Sequence, residues 1–516
     1  MREPALSLTF DPTGIYLDPR QGLSRQLYQA LSARVLDGRL GSGTRLPASR
    51  DLARALAISR NSVVRAYDQL YAEGFIEGRV GDGTYVADLP ERLLNARNLS
   101  TQLSTRLPTG LSTALSTNQP NITVDLSSKV IHTEALDRLE THFLPPPKSG
   151  PPKAFRVGVP AFDLFPFEVW AKLQAAFWRK PGMHQLGYGE PAGDPRLREL
   201  IAVYLRRARG LSCTAEQIVI TSGAQQAIAL CAQLLLQPGD GVAVENPGYR
   251  SACHAIATAG ARLHGVAVDE QGFDCAALDG LADCRMAYVT PSHQYPTGVT
   301  MSLARRLALL AWAERTGGWI IEDDYDGEYR YSGAPLAPLA ALDRQGRVLY
   351  VGTFSKIAFP ALRLGYLVLP PTLAPAFARR KAVDMRHSEI GTQAVMAEFM
   401  AAGHFQRHIR RMRKAALNRR NALIRGWPVD IPGCAGMPEI AAGLHVRVPV
   451  DNLATEQRLV ARAAAVDVEI NPLSDYWLPE DNGAVDSRAC GLVLGFAAVA
   501  EPAIASALAR LREAWR

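Results

Sequence analysis

The sequence predicts an α/β protein: a small N-terminal unit of three helices and a β-hairpin, then a large, mainly parallel α/β body ending in a small α+β subdomain. Helical apolar spacing and capping residues run from residue 23 to residue 74, and two short strands follow. From residue 154 onward, apolar strands alternate with amphipathic helices, which is typical of a parallel sheet. A segment rich in Ser, Thr and Pro separates the two patterns. We therefore expect domains at residues 1–88 and 154–516 and a linker at residues 89–153.

Length and composition exclude several classes of protein. With 516 residues, 47% hydrophobic and 21% charged, the chain is long enough for two or three globular domains. No apolar run is long enough to span a bilayer and the first residues do not form a signal peptide, so we expect a cytoplasmic protein without a membrane partner. The seven cysteines are dispersed and show no CxxC pair, which favours reduced thiols and argues against a disulfide framework and a zinc site, and no metal ligands are predicted.

The N-terminal unit is expected to begin with a helix at Leu23–Leu36 and a second helix near residues 50–56, after the turn GSGTRLPASR. Ser59 is a candidate N-cap for a third helix that ends near Gly74. Two short strands at residues 75–79 and 84–87 flank the turn VGDG. Three helices followed by such a hairpin form a winged helix-turn-helix.

Positive charge is concentrated in this unit. Between Arg20 and Arg65 there are nine arginines and two acids, so the local excess equals the +7 of the whole chain. The first residues of a recognition helix contact base edges in the major groove, while flanking cations and the wing contact the backbone or the minor groove. The alternative is a protein-interaction module with a solvated arginine face. The predicted DNA-contacting residues are Arg60, Asn61 and Ser62 at base edges, Arg45 and Arg50 at phosphates, and Arg79 and Gly81 in the wing.

The segments LPASRDLA, SRNSVVRAYDQL and GDGTYV closely resemble the GntR family of bacterial winged-helix repressors and activators. The resemblance extends over about residues 24–86. It implies that this unit binds double-stranded operator DNA.

The expected linker has two halves of different composition. Its first half, LSTQLSTRLPTGLSTALSTNQPN, has few charges and is typical of a flexible tether. Its second half ends in the proline-rich LPPPKSGPPK, which favours an extended chain. A short helix is expected between these two stretches.

Six apolar strands are expected in the large body. Polar clusters follow five of them, and in a parallel sheet such clusters meet at the carboxyl edge, where ligands bind. A long helical segment is expected beyond about Lys381, and GLHVRVPV, VDVEI and GLVLGFAAV are expected as strands of the small subdomain. The six strands are expected at residues 217–220, 241–244, 286–289, 319–321, 348–351 and 366–369.

The strand-end residues match the needs of a lysine-bound pyridoxal phosphate (PLP). Lys356 follows hydroxyl residues in GTFSK and is one of 8 lysines beside 49 arginines, so its presence suggests imine chemistry. Asp323 or Asp324 suits the pyridine nitrogen, and Tyr249 can stack on the ring. A helix N-terminus attracts phosphate. Taken singly, each residue also has a structural alternative, such as a helix cap or a core side chain. The remaining candidates are Tyr325 for the ring hydroxyl and Ser222, Gly223, Ala224, Gln225, Thr353, Ser355 and Arg363 for the phosphate.

The motifs SGAQQAI, ENPGYR, TPSHQYPTG, EDDYDGEYRY and GTFSK-x6-RLGY resemble fold type I aminotransferases of class I/II, over about residues 155–516. With the GntR-like unit in front, the whole chain is similar to the MocR subfamily of transcriptional regulators. The resemblance implies a PLP-binding homodimer, often with swapped domains, that senses the cofactor or an amine or amino acid forming an external aldimine with it. It also implies that Tyr188 reaches the partner subunit's phosphate.

Two positions depart from the aminotransferase pattern. Tyr295 stands where those enzymes have an Asn for the ring hydroxyl, so Tyr325, His293 or Gln294 must take over. Val493 stands where they have an Arg for the substrate carboxylate, with Arg447 and Arg488 as unmatched neighbours. The expected effectors therefore include amines, sulfonates or the cofactor alone. A regulator is favoured over two alternatives, an active aminotransferase with an accessory DNA-binding unit and a cofactor-free dimerisation body.

A basic helix is expected near the start of the C-terminal part. Between Ala401 and Val429 there are eight basic residues and no acid. Phe405, Ile409 and Met412 share one helical face, so the basic side chains lie on the others. These side chains form either a solvated surface or a ridge that holds DNA flanking the operator.

Overall fold

The computed structural model describes residues 12, 15–19, 22–36, 38–72, 75–79, 83–87, 150–331, 337–479 and 489–516. The chain divides into two compact units, Met1–Val124 and Asp125–Arg516. Most of the expected linker, with its short helix, lies outside the described residues, as do Gly81, Arg488 and the side chain of Arg79.

The first unit contains three helices and a three-stranded antiparallel sheet in the order β1-β3-β2. The prediction of three helices and a hairpin is confirmed, and the Ser59 hydroxyl accepts the Ser62 backbone N–H at 3.1 Å, as an N-cap should. Arg45 and Leu46, expected in a turn, instead form a third strand. The elements are α1 at Leu23–Leu36, β1 at Arg45–Leu46, α2 at Ser49–Ala55, α3 at Arg60–Ala72, β2 at Ile76–Arg79 and β3 at Gly83–Val86.

The core of the first unit follows from helical spacing. Leu27 and Leu31 of α1 lie one turn apart, as do Val63, Ala66 and Leu70 of α3, and all five are buried. Residues spaced by three or four share one helix face, so the two helices bury their apolar faces against each other and the sheet. The opposite faces of α2 and α3 remain exposed.

The second unit is built on an eight-stranded sheet in the order β4-β11-β10-β9-β8-β5-β6-β7. The neighbours β10–β9, β9–β8, β8–β5 and β5–β6 are parallel, whereas β11 and β7 run antiparallel to the strands beside them. The prediction of a mainly parallel sheet is confirmed. The strands are β4 at Ile218–Thr221, β5 at Gly241–Asn246, β6 at Arg262–Asp269, β7 at Gly272–Phe273, β8 at Cys284–Val289, β9 at Trp319–Asp323, β10 at Val348–Thr353 and β11 at Gly365–Val368.

Helices cover both faces of this sheet. Strands β4, β5, β10 and β11 are buried along their whole length, which explains their nearly continuous apolar sequence. The helices are α4 at Phe167–Arg179, α5 at Pro195–Ala208, α6 at Ala224–Leu235, α7 at Arg250–Ala257, α8 at Leu303–Thr316, α9 at Leu339–Leu342, α10 at Ala374–Met385, α11 at Ile390–Ala401 and α12 at His404–Gly426.

The long helical segment predicted beyond Lys381 is in fact three helices, α10 to α12. The breaks occur at Arg386 and at Gly403, which have positive φ angles of 61° and 73°. A positive φ cannot continue a right-handed helix, so the chain changes direction at both residues. The last helix, α12, is amphipathic as predicted, with Phe405 and Met412 buried.

The small subdomain has an antiparallel sheet in the order β12-β14-β13, with β12 at His445–Val450, β13 at Asn471–Pro472 and β14 at Cys490–Gly495. It is covered by α13 at Leu453–Ala465 and α14 at Glu501–Ala514. The prediction of a strand at VDVEI is wrong. Val468 and Ile470 are buried, but the backbone N–H groups of Val468 and Glu469 bond to Ala463 and Ala154 instead of a neighbouring strand.

Among the described residues, no helix combines the length and the apolar character needed to cross a bilayer. All seven cysteines are described, none of them forms a disulfide, and five are buried.

Candidate functional site

Lys356 lies just after β10, at the carboxyl edge of the sheet. Its Nζ donates a hydrogen bond of 2.8 Å to the carbonyl oxygen of Gly158. Burial lowers the pKa of Lys356, and the nearby carboxylates of Asp326 and Asp323 partly oppose that shift. Desolvation thus favours the neutral amine, which is the form that attacks an aldehyde.

Gly158 has a φ of 78°, and a side-chain carbon there would lie 3.0 Å from Lys356 Nζ. Any larger residue at position 158 would therefore crowd the amine of Lys356. The sequence prediction did not single out this glycine, because its role depends on a contact across 198 residues.

Asp323 and Asp324 differ in their partners. Asp323 Oδ2 accepts from the Tyr288 hydroxyl at 2.8 Å, while Oδ1 is buried without a partner among the described residues. Asp324 Oδ2 instead accepts from Arg209 Nε at 2.8 Å and from the Tyr350 hydroxyl at 2.6 Å. Asp324 Oδ1 is also unpartnered, but this carboxylate is already neutralised by a buried arginine.

Burial raises the pKa of Asp323 to about 7, and the Tyr288 hydrogen bond opposes that shift. An unpartnered carboxylate oxygen in a buried site is costly unless a donor meets it. A protonated pyridine nitrogen is such a donor, so of the two aspartates Asp323 fits the cofactor.

Aromatic rings lie beside these residues. The Tyr249 ring meets Tyr295 edge-on with centroids 5.6 Å apart, and Tyr295 meets Tyr325 at 5.9 Å. The Tyr325 hydroxyl donates to the His293 carbonyl at 2.8 Å. The Gln294 side chain is committed elsewhere, since its Nε2 donates to Glu245 Oε2 at 3.1 Å and to the Pro247 carbonyl at 3.0 Å. Of the three residues considered for the ring hydroxyl, Gln294 therefore does not suit the role.

The candidate phosphate residues lie together at the N-terminus of α6. Gly223 is the N-cap, with a φ of 93°. Arg363 Nη2 donates to the Ser222 carbonyl at 2.6 Å, so this guanidinium lies beside the free amides of the helix start. The Thr353 hydroxyl donates a hydrogen bond of 3.0 Å to the Ser355 hydroxyl.

Gln225, also in this turn, donates from Nε2 to the Ser251 carbonyl at 2.6 Å. Ala224 begins the helix and contributes a backbone N–H. The structure thus brings together all seven residues considered for the phosphate, Ser222 to Gln225, Thr353, Ser355 and Arg363.

Tyr188 does not join this cluster within one chain. Its side chain is 88% exposed, and its ring meets His387 at 6.0 Å.

The position at which the aminotransferase pattern has an arginine for the substrate carboxylate is apolar in this chain. Val493 of β14 is fully buried with Leu473 and Tyr476, and Val157 and Tyr295 pack against this group. Arg447 stands directly opposite Val493 on β12. Arg447 has no hydrogen-bond or ion-pair partner among the described residues, and burial lowers the pKa of its guanidinium.

A buried His-Asp-His cluster completes the site and was missed by the sequence prediction. His293 Nδ1 lies 2.9 Å from Asp326 Oδ2, and the ligand-type atoms of His293, Asp326 and His445 lie within 4.8 Å of one another. His445 Nε2 has no partner among the described residues, and burial lowers the pKa of this imidazole. His445 belongs to the small subdomain, so no local signal connects it with the other two.

The DNA candidates of the first unit lie at the starts of α2 and α3. Arg50, Arg60 and Asn61 are exposed, and Arg60 Nε bonds to Ser49 Oγ at 3.4 Å, which links the two helix starts. Ser62 is half-buried, and its hydroxyl lies 2.9 Å from that of Ser59. Arg45 extends over the Tyr85 ring of the wing, with its guanidinium 6.0 Å from the centroid.

Known proteins share both units. Residues 23–86 match the bacterial regulatory proteins of the gntR family, and residues 154–428 match aminotransferase class I and II. The probable rhizopine catabolism regulatory protein MocR of Rhizobium meliloti is 34% identical over 495 residues, 96% of this chain and 94% of that protein. The pyridoxine biosynthesis transcriptional regulator PdxR of Corynebacterium glutamicum is 31% identical over 97% of this chain and 98% of its own length. The regulator TauR of Rhodobacter capsulatus is 31% identical over 96% of each chain.

Solved aminotransferases share the fold of the second unit. The Pyrococcus horikoshii kynurenine aminotransferase, in complex with PMP, is 27% identical with a TM-score of 0.62, covering 75% of this chain and 95% of its own. LysN, the alpha-aminoadipate aminotransferase of Thermus thermophilus, was solved with N-(5'-phosphopyridoxyl)-L-leucine. It is also 27% identical with a TM-score of 0.62, over 75% of this chain and 96% of its own.

Proposed function

The chain belongs to the MocR subfamily of GntR-type transcriptional regulators, and on this premise we propose that it carries PLP on Lys356 and that its hold on operator DNA changes with the state of that site. The effector that changes DNA binding is PLP itself or an amine or amino acid that reacts with it. We propose three segments: a DNA-binding domain at residues 1–88, a linker at residues 89–153, and a domain at residues 154–516 that binds the cofactor and forms the dimer.

The observation that carries this proposal is the unpartnered Asp323 Oδ1 in a site that also holds Lys356 and the α6 N-terminus. When bound, PLP supplies an aldehyde that primary amines capture reversibly, together with a visible absorption band. Lys356 Nζ would hold it covalently, Asp323 would hold the ring nitrogen and Tyr249 would cover the ring. Arg363 and the amides of Ala224 and Gln225 would hold the phosphate.

The chain's own residues indicate which ligands suit the site. At Val493, where aminotransferases place a carboxylate-binding arginine, this chain offers an apolar, aromatic wall with Tyr295 and Tyr476. A bidentate carboxylate grip needs a guanidinium, so the site does not depend on an α-carboxylate. We therefore propose a broad class of primary amines as effectors.

The exposure of Tyr188 supports the proposal of a homodimer. A tyrosine that is 88% exposed in the loop before α5 is suited to contact a second copy of the chain. We propose that Tyr188 reaches the partner subunit's phosphate site, and that the two first units, swapped between subunits, bind a repeated operator sequence.

A second candidate function is an active aminotransferase with an accessory DNA-binding unit. The complete set of Lys356, Asp323, Tyr249 and Arg363 favours it, because the same lysine amine can hold and move a proton at the captured ligand. The Val493 wall argues against it for amino-acid substrates.

One experiment separates these functions. The visible spectrum of the purified full-length protein is recorded with PLP, candidate amines are titrated, and operator-DNA affinity and keto product are measured in the same samples. A regulator gives a lysine-linked absorption band and a DNA affinity that changes without sustained product. Continuous keto product would instead support the enzyme.

Absence of the absorption band in the wild type would exclude both functions. The Lys356→Ala variant is the control, and it should lose the band while keeping the fold of both units.

A further inference from the structure

A second cavity lies in the second unit, against the loop that follows β9 and away from the residues assigned to PLP. Its volume is about 590 Å³, which is within the usual range for small-molecule sites. Its floor is apolar, with Leu200 and Val203 of α5, Met400 of α11 and Ile409 of α12. None of the residues considered for PLP lines it, and Arg410 and Arg413 of the basic helix α12 lie at its rim.

The rim of this cavity is strongly cationic. Arg207, Arg330, Arg410 and Arg413 contribute four guanidinium groups. Arg207 has no hydrogen-bond or ion-pair partner among the described residues, and Arg330 Nε is buried without one.

The other two rim arginines bond only to backbone among the described residues. Arg410 Nε donates to the Gln406 carbonyl at 3.4 Å and Arg413 Nη2 to the Arg330 carbonyl at 3.2 Å. The lining carboxyl group, Glu328, already accepts the Tyr204 hydroxyl at 2.6 Å. Among the described residues, no carboxylate forms an ion pair with any of the four rim arginines.

We infer that this cavity is a binding site for a small amphipathic carboxylate, with an apolar body on the floor and the carboxylate among the rim arginines. Guanidinium groups match carboxylates in planar, two-point hydrogen bonds, and such pairs strengthen when partly removed from water. An uncharged ligand would gain no charge-assisted hydrogen bond from the arginines, and a cationic ligand would be repelled.

The cavity shares a loop with the PLP site. Arg209 lines the cavity and pairs with Asp324 at 2.6 Å, and Asp324 directly follows Asp323. The same loop turns toward the lysine on its other side, where the Tyr329 hydroxyl donates to the Lys356 carbonyl at 2.8 Å. A ligand in the cavity therefore contacts the segment that positions Asp323. Coupling between two sites is reciprocal, so PLP and the carboxylate should alter each other's affinity.

The test uses isothermal titration calorimetry on the full-length protein loaded with PLP. Decanoate is the probe, while decyltrimethylammonium and acetate serve as the cationic and head-group-only comparisons. Decanoate is expected to bind at one site per chain, at least tenfold more tightly than either comparison. Equal binding of the cation, or no binding of decanoate, would overturn the inference.

Variants locate the site. Val203→Trp fills the floor at a half-exposed position, and the double variant Arg410→Ala/Arg413→Ala removes half of the rim charge. Each is expected to weaken decanoate binding at least tenfold, with the melting temperature and the lysine-linked absorption band retained. Arg425→Ala, an exposed arginine of the same helix outside the cavity, is the matched control and should bind decanoate normally. Unchanged binding in both rim and floor variants would refute the site.

The inference does not depend on PLP. Lys356→Ala should still bind decanoate, although with a changed affinity if the two sites are coupled. Loss of all binding in that variant, with the fold retained, would place decanoate in the PLP site and overturn the second site.

Discussion

The Tyr288 hydroxyl donates a hydrogen bond of 2.8 Å to Asp323 Oδ2, and Asp323 Oδ1 beside it is left without a partner among the described residues. The neighbouring pair, Tyr350 and Asp324, has a similar bond of 2.6 Å, but there the carboxylate also meets Arg209. Two adjacent aspartates thus accept the same kind of tyrosine hydrogen bond, but only Asp324 also pairs with an arginine.

This matched pair gives the first prediction. Tyr288→Phe removes a donor to Asp323, so the carboxylate form becomes rarer and PLP affinity should fall about tenfold, the value of one hydrogen bond to a charged group. Tyr350→Phe, which removes the equivalent bond to Asp324, is the control and should change PLP affinity much less. The measurement is the PLP dissociation constant from the visible absorption band. Equal losses in both variants would contradict the assignment of Asp323.

The second prediction concerns the wall at Val493. L-alanine and its amino alcohol differ only in the carboxylate, and without an arginine at this position their apparent dissociation constants should agree within about tenfold. Spectral titration of the PLP-loaded protein measures both. Arg447→Ala should leave the ratio unchanged. If that variant weakened L-alanine alone, Arg447 would be the carboxylate ligand and the apolar-wall hypothesis would be wrong.

The third prediction concerns pH and Glu328. Burial raises the pKa of Glu328 to about 7, well above its value in an unfolded chain. A buried acid with a raised pKa favours the folded state at low pH. That contribution is lost as pH rises from about 4 to about 7, by at most about 1.4 kcal/mol per pH unit.

Glu328→Gln keeps an acceptor for the Tyr204 hydroxyl but cannot titrate. The melting temperature of the wild type should therefore fall more than that of the variant between pH 5 and pH 7.5, as measured by calorimetry. Parallel pH profiles would show that Glu328 does not titrate in this range.

The fourth prediction separates base contacts from phosphate contacts in the first unit. Arg60→Ala, at the start of α3, should weaken operator binding by about 1–3 kcal/mol and relax sequence preference. Arg50→Ala should weaken operator and non-specific DNA about equally. Arg54→Ala, an exposed arginine of α2 paired with Asp51 at 3.6 Å, is the control. Binding is measured by fluorescence anisotropy at fixed salt, and identical effects of the first two variants would refute the separation.

The fifth prediction tests the basic helix α12. Arg407, Arg411 and Lys414 are exposed and lie outside the second cavity. If they hold DNA flanking the operator, neutralising all three should reduce the slope of log affinity against log salt by up to about three. The double variant Arg410→Ala/Arg413→Ala is a comparison on the same helix. An unchanged slope on a long operator fragment would mean that these side chains form a solvated face.

Local patterns in the sequence predicted most of the elements. Ser59 indicated the start of α3 because an N-cap acts within one turn, and buried apolar runs marked the strands of the parallel sheet because both faces of such strands are covered. The residues at the strand ends were also predictable, since parallel strands place their carboxyl ends on one edge. The strand at VDVEI was not, because whether an apolar run pairs depends on which backbone lies beside it.

The sequence by itself determined the two units, the helix and strand periods and the position of Lys356 among polar strand ends, since all of these depend on neighbouring residues. Only the tertiary structure distinguishes the surroundings of Asp323 and Asp324, because their partners, Tyr288 and Arg209, come from distant segments. It likewise brought His445 to His293 and Asp326 and formed the cationic cavity from helices and a loop. The burial of a side chain and the distances to its partners are set only when the chain folds. They determine which charged groups are paired within the protein and which remain available to a ligand.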